Sequence, residues 1–445
     1  MDHNTKGIQD GFKELGTGKM MVLGIQHVFA MFGATVLVPL LTGLSVSVTL
    51  LCAGIGTIWF YFVTKRKVPI FLGSSFAFLA AFGTVTNGDP ARLPYATLGV
   101  FFAGLVYVLL AVLIRIFGTK KIMKLFPPVV TGPIIILVGL ILAPTAVSSA
   151  SANWILAIVA IAIILLVNLR GKGMLRLLPI LCGIFGSYLV GVIISLLSGN
   201  SLFGLSWVDF SSLQNAHIVA VPPVQDFTPL RFLFGMQEFD PAIGWPAVMT
   251  FVVVAIAAMI EHIGDICAIS ATTGKNYIAD PGLTRTLIGD GIATSIAGIL
   301  GGPANTTYSE NTGVVALTRV FDPRVMLIAA LMSIVLSFFN IFDAFINTIP
   351  WSIIGGVSVV LYGMISATGI RTIVENHVDF TKMRNILVAA LILVCGLGFN
   401  ANPLKIGSLS FGGLAVAAVV GIIVNAVLPG KDYEFTAEPE DSENN

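Results

Sequence analysis

The sequence predicts an all-α polytopic membrane protein, and three observations carry that prediction. Hydrophobic residues make up 56% of the 445 and charged residues only 11%, with a mean hydropathy of +0.94. No water-soluble globular domain tolerates that composition on its surface. Apolar runs long enough to cross hydrocarbon as helices recur along the whole chain, about fourteen of them when short and Gly/Pro-interrupted ones are included. Short motifs of the first half also return in the second.

The runs fall near residues 19–40, 46–63, 68–86, 95–117, 127–143, 153–169, 177–197, 245–270, 286–301, 303–319, 325–348, 350–369, 385–399 and 408–428. If successive runs cross the membrane in alternate directions, every Lys and Arg except Arg92, Arg231 and Lys405 lies on one side. By the positive-inside rule that side is the cytoplasm, both termini are cytoplasmic, and the span count is even. The first 18 residues are polar and have no signal-peptide core, so the first span is the targeting signal of a multi-pass protein of the cytoplasmic (inner) membrane. The net charge of +1 points to no nucleic-acid partner. Cys52, Cys182, Cys267 and Cys395 are scattered singly in apolar stretches and fit neither a disulfide framework nor a metal site.

Ile25-Gln26-His27-Val28 aligns with Ile260-Glu261-His262-Ile263, at a separation of 261 − 26 = 235. Phe126-Pro127 followed by Gly132 returns as Ile349-Pro350 followed by Gly355, where 350 − 127 = 355 − 132 = 223. The break around Gly73-Ser74-Ser75-Phe76 faces a second break around Tyr308-Ser309-Glu310 at a similar distance. These offsets divide the chain into a cytoplasmic tail (1–18), a first repeat (19–197), an extracytoplasmic linker (198–244), a second repeat (245–428) and an acidic cytoplasmic tail (429–445). Each repeat holds seven spans, an odd number, so the second enters from the opposite side and the repeat is inverted. A site is then expected at the midplane, between the third span of each half.

The stretch 301–313 sets two Asn, three Thr, a Tyr, a Ser and a Glu between apolar flanks. Irregular polar backbone at membrane depth survives only inside protein or along a cavity. An intramembrane acid such as Glu310, or Glu261 in the apolar run 248–270, is a functional-site candidate by default. Glu261 and Asp265 are four apart and share a helix face, from which His262 points away. Burial penalises the charged form and like charges add to the penalty, so one acid among Glu261, Asp265 and Glu310 is suited to take up and release a proton. The alternative role for these acids is a structural hydrogen-bond network. Gly301, Gly302 and Pro303 interrupt the tenth span, and Pro69 and Gly73 interrupt the third. Extended backbone at two facing breaks offers N–H and C=O groups to a polar ligand, and Phe76 can stack on a flat one or serve as packing. His27, beside Gln26, is either a proton relay or an interhelical hydrogen bonder.

Taken together, these residues resemble the nucleobase/ascorbate transporter family and, within it, the bacterial uracil permeases. The run Glu310-Asn311-Thr312-Gly313 through Thr318-Arg319 fits the family signature, and Gln26-His27 fits its first-span motif. Leu72-Gly73-Ser74-Ser75-Phe76-Ala77-Phe78, Pro303-Ala304-Asn305-Thr306-Thr307-Tyr308 and Leu361-Tyr362-Gly363 match uracil permease stretches. The resemblance covers nearly the whole chain. It implies a core domain of spans one to four and eight to eleven, a gate domain of spans five to seven and twelve to fourteen, and short β-strands in the third and tenth spans. It also implies proton symport and homodimers joined through the gate, and the reading that follows is a uracil–proton symporter working by elevator-like movement of the core against the gate.

Carried over by motif, Glu261 and Glu310 bind the base, while Phe76, with backbone at Ser75, Ser309 and Glu310, completes the pocket. Ala34 lines it and Tyr308 and Tyr362 sit near it, with Gln26, His27, Asn311 and Tyr362 in structural or gating roles. Two positions depart from the uracil permease pattern: Asp265 stands where His is found, and Ser309 where Gly is found. Glu at position 310 favours uracil, since members that take xanthine or urate usually have Gln there and uracil permeases have Glu. The rival readings are a purine or xanthine permease, an intramembrane enzyme built on Glu261, His262 and Asp265, and an uncoupled anion carrier. No H-E-x-x-H, Cys/His cluster or ATP-binding motif is present, so no metal or cofactor is expected.

Overall fold

A computed structural model describes residues 7–118, 121–122, 124–172, 175, 178–198, 208–214, 217–407 and 409–430. The main helices, in chain order, begin with α1 (Gly16–Thr42) and α2 (Val46–Val63). A short strand β1 (Leu72–Ser74) and one turn of 3-10 helix (Phe76–Phe78) lead into α3 (Leu79–Thr86), and α4 (Leu93–Phe117), α5 (Pro128–Ala150), α6 (Trp154–Arg170) and α7 (Pro179–Ser198) follow. The second half has α8 (Pro241–Thr273), α9 (Leu283–Ile299), β2 (Asn305–Thr307), α10 (Ser309–Thr318), α11 (Arg324–Ser337), α12 (Asn340–Ile346), α13 (Trp351–Glu375) and α14 (Met383–Ala401). A hairpin of β3 (Leu404–Ile406) and β4 (Leu409–Phe411) then precedes α15 (Gly413–Val427).

Among the described residues, eight helices are long and apolar enough to cross a membrane, or nine if the bent pair α11 and α12 counts as one span. The apolar run 325–348 reads as continuous in the sequence, yet these two helices meet at 84°. The bend lets Phe345 stack on Phe185 of α7 while Phe342 meets Phe32 of α1. The run 408–428 likewise gives up its first residues to β4, because Gly407, at φ +61°, turns the chain into a hairpin.

Helix boundaries follow local chemistry. Ser45 and Asn153 accept from N–H groups that have no intrahelical partner at the start of α2 and α6, and Asp240 does the same for α8. Gly43 and Gly274 end α1 and α8 in the left-handed conformation. Hydrocarbon supplies no hydrophobic drive for helix association, so close backbone approach does the work. A Cβ on Gly104 of α4 would lie 2.3 Å from the Gly291 carbonyl of α9, and one on Gly139 of α5 would lie 2.1 Å from that of Tyr362 in α13. Ser295 of α9 donates to Phe101 O of α4 at 3.0 Å, and Ser333 of α11 donates to Leu50 O of α2 at 2.8 Å.

At the end of the molecule where α1 begins, residues 7–15 form a strap. Ile8 N donates to Arg319 O at 2.8 Å and Phe321 N donates to Ile8 O at 2.8 Å, one rung of parallel pairing. Arg324 joins Asp10 and Asp322, and its guanidinium lies 4.8 Å from the centroid of the Phe12 ring. Lys275 donates to Gln9 at 2.5 Å. The Arg324 hydrogen bond holds the Asp10 carboxyl below its ordinary range.

Candidate functional site

The site forms where two breaks in the helical pattern meet. Gly301, at φ +78°, ends α9, and Pro303 bars the helix from restarting, so residues 303–307 run extended. Pro69 likewise keeps the chain out of helix before β1, and Gly73 leaves room for the Tyr308 ring, 2.5 Å from where a Cβ would lie. The extended segments pair as antiparallel β1 and β2, with Leu72 opposite Thr307, Gly73 opposite Thr306 and Ser74 opposite Asn305. Ser75 N→Ala304 O at 2.8 Å and Tyr308 N→Phe71 O at 3.1 Å extend the pairing at each end.

A two-stranded ribbon inside a membrane needs partners for its outer edges. Thr57 accepts from Leu72 N at 2.9 Å and donates to Leu72 O at 3.3 Å. Thr294 donates to Asn305 O at 2.8 Å, and the Asn305 amide donates to Cys52 O at 3.2 Å. Every residue from 68 to 79 and from 301 to 308 is buried. The N-termini of the Phe76 turn and of α10 both begin at this ribbon, so two sets of free N–H groups converge on it.

The side chains around the ribbon are arranged in layers. Tyr308 turns its hydroxyl to Ser74 O (2.9 Å) and accepts from Thr35 of α1 (3.2 Å), while its ring packs over Gly73. Asp265 of α8 is buried and accepts from Thr307 at 2.6 Å. Asn311 of α10 is fully buried and donates to His27 O at 3.2 Å, with His27 Nδ1 3.1 Å away. Gln26, next to His27, is also buried. Glu261 and Glu310 are half-buried, and Glu261 is within electrostatic reach of Asp265, Glu310 and Asp290. Phe76 lies edge-on to Tyr362 of α13, with centroids 6.1 Å apart. The Ser75 hydroxyl is buried and, among the described residues, finds no partner in the chain. The side chains of Ala34 and Ser309 lie outside the described residues.

The structure thus brings Phe76, Ser75, Tyr308, Asp265, Glu261, Glu310, Asn311, His27 and Tyr362 around one ribbon. It adds a residue that the sequence reading passed over. Asp290 of α9 is fully buried, with Oδ2 2.9 Å from His262 Nδ1, and Phe60 and Tyr107 present their rings to that histidine. The signal was available as a lone acid in the apolar run 286–301. His262 points away from the Glu261 face, toward α9.

This arrangement suits reversible binding of a small polar ring: carboxyl groups, helix N-termini and an aromatic face surround it. A family model described as "Permease family" matches residues 18–405. The chain belongs to that family.

The resemblance to nucleobase/ascorbate transporters is therefore one of descent, and the chain is a multi-pass membrane transporter and not an enzyme. It is 39% identical over 425 residues to the uracil permease of Bacillus caldolyticus, covering 93% of each chain. It is 38% identical over 419 residues to the uracil permease of Bacillus subtilis (strain 168), covering 91% of each. To the putative pyrimidine permease RutG of Escherichia coli (strain K12) it is 38% identical over 421 residues, covering 92% of this chain and 89% of that one. Among solved structures, the transmembrane domain of the cyanobacterial bicarbonate transporter BicA superposes with a TM-score of 0.63 at 16% identity, covering 95% of this chain and 100% of that one. SLC26A9 superposes at 0.60 with 13% identity, covering 92% and 64%. At these identities the likeness shows the fold alone.

Proposed function

We propose that this permease imports uracil together with protons across the cytoplasmic membrane by an elevator-like movement. The observation that carries the reading is the meeting of Glu261, Glu310 and the Phe76 ring at a β-ribbon flanked by two helix N-termini. Uracil presents ring N–H donors beside carbonyl acceptors. Carboxyl oxygens of Glu261 and Glu310 accept from the N–H groups, backbone N–H groups at 76 and 309–310 donate to the carbonyls, and Phe76 covers one face. The names of the relatives support the choice of base. The first signature residue, Glu310, favours uracil over xanthine.

In the cycle proposed, a proton and uracil together satisfy the buried acids, and the loaded site can then cross the barrier. The empty, deprotonated site leaves an unpaired charge in low dielectric and does not cross. A potential of about 150 mV supplies roughly 3.5 kcal/mol per proton charge, enough for a few-hundred-fold accumulation.

The reading includes fourteen spans in two inverted repeats, with both termini in the cytoplasm. Its support is that α4 packs on α9 while α2 packs on α11, the two pairs that an inverted repeat exchanges, and that α5 packs on α13, which it maps onto each other. Spans one to four and eight to eleven form the moving core. The remaining spans form the gate, through which two copies associate.

The test is uptake of labelled uracil into proteoliposomes under an imposed pH gradient. The wild type should accumulate uracil only when the gradient is inward and acid outside, and Glu261→Gln should abolish uptake while remaining folded and inserted. Competition by unlabelled xanthine without competition by uracil would assign the site to a purine instead.

A further inference from the structure

Residues 217–240 form a cap on the side of the molecule opposite the start of α1, because α4 begins beside the end of α1: a Cβ on Gly43 would lie 3.9 Å from the Leu93 side chain. The cap is fastened to helices of both halves. Thr97 of α4 donates to Phe227 O at 2.7 Å, and Thr228 donates to Ile299 O of α9 at 2.6 Å. The Tyr95 hydroxyl donates to Glu238 O at 3.0 Å and accepts from Asp240 N at 2.8 Å. Tyr95 lies in the first turn of α4 and Asp240 caps α8, so these bonds fix the cap at the level where two membrane helices begin.

A turn projects from this fixed base. Gly235, at φ +67°, forms its tip, and Leu233, Phe234 and Met236 are 80%, 70% and 62% exposed. No charged side chain lies within residues 232–237. The apolar surface does not end there: Phe239 meets Trp245 at 6.4 Å between centroids, and Trp245 and Met249 continue it as exposed residues down the side of α8. In a multi-pass membrane protein the exposed flank of such a helix faces lipid, and Trp in its first turns marks the headgroup level. The turn is therefore continuous with the lipid-facing surface.

We propose that residues 233–236 are a membrane-surface anchor, inserted among the headgroups and upper acyl chains of the leaflet opposite the N-terminus. Three large apolar side chains on one short turn, level with an interfacial Trp, match the way amphipathic segments seat in that layer. A second copy of the chain is a poorer occupant, since a stable interface buries about 800 Å² per partner and this turn is only four residues long.

The test uses the full chain in lipid nanodiscs, with the exposed native Cys267 replaced by Ser. An environment-sensitive fluorophore is attached at Phe234→Cys, at Met236→Cys as a second position, and at Asp379→Cys as an exposed reference in the loop after α13. Signal from the parent without an introduced cysteine is subtracted. Labels at 234 and 236 should emit to the blue of the label at 379, and lipid spin-labelled near the headgroup should quench them several-fold more than aqueous iodide does, with the order reversed at 379. Iodide quenching at 234 and 236 equal to that at 379 overturns the proposal. So does shielding that disappears when the protein is diluted to one copy per disc, which would identify a second copy as the occupant.

Discussion

The Tyr308 hydroxyl donates to the Ser74 carbonyl at 2.9 Å, which ties the residue after β2 to the last residue of β1 by a side chain as well as by the ladder. The same oxygen lies 3.1 Å from Ser74 Oγ and accepts from Thr35 of α1. One phenol therefore braces three elements of the site. Its position reads as a pocket residue in the sequence, and the bonds it makes give it a positioning role toward its neighbours.

Tyr308→Phe keeps the ring and removes the brace. The loss is expected to be about 1–2 kcal/mol, since buried donors and acceptors on Ser74 and Thr35 are left with fewer partners. Melting of the detergent-purified protein should fall by several degrees and uracil binding should weaken. An unchanged melting curve would show that the brace carries no stability.

Gly73→Ala tests the contact beneath that ring. A Cβ there would lie 2.5 Å from the Tyr308 ring, which its hydroxyl bonds hold in place. Either the ring or the strand must move, and both lie in the ribbon. Size-exclusion profiles of extracted protein should show a larger loss of folded material for Gly73→Ala than for Tyr308→Phe.

Thr307→Val deprives Asp265 of its 2.6 Å donor. A hydrogen bond to a carboxylate contributes about 1.5–3 kcal/mol, so uptake should fall at least tenfold, and Thr307→Ser should restore it. The pH profile of uptake is the discriminating measurement: a purely structural role for Thr307 lowers the profile without moving it, whereas a role in the proton step displaces it.

The strap makes a prediction about acid. Arg324 holds the Asp10 carboxyl below its ordinary value, so the docked strap releases that proton more readily than the undocked one does. Docking then gains from the pair at every pH above the undocked carboxylate value of about 3.9, and loses that gain as pH falls through the lower docked value. Hydrogen exchange at the amides of Ile8, which donates to Arg319 O, and of Gly11, which donates to the Asp322 carboxylate at 2.9 Å, should be flat between about pH 5 and 8 once corrected for intrinsic rate, and faster in acid. Asp10→Asn should speed exchange at neutral pH and remove the acid limb.

Much of this architecture is legible in the sequence because lipid permits so few solutions. Glycine and proline at 69, 73, 301 and 303 inside apolar runs announce irregular backbone, and irregular backbone at that depth announces a site. The spacing of Glu261 and Asp265 fixes a shared face without further information. Contacts between elements are harder to read. That Thr307 reaches Asp265, that Asp290 approaches His262, and that α11 breaks from α12 depend on which helices adjoin, and hydropathy says nothing of neighbours. The projecting turn at 233–236 was hidden for a related reason: its residues are apolar like the rest of the chain, and only their exposure sets them apart.

Gly73 and Thr306, opposite each other in the ribbon, are separated by 306 − 73 = 233 residues. While the ribosome is still making the second half, β1 is already in the bilayer with an edge that lipid cannot satisfy. A chain halted before residue 305 never acquires the missing strand, so truncated products should be recognised by membrane quality-control proteases even when every helix they contain is intact. Supplying the second half as a separate polypeptide offers that edge its partner, and the two fragments should protect one another from degradation.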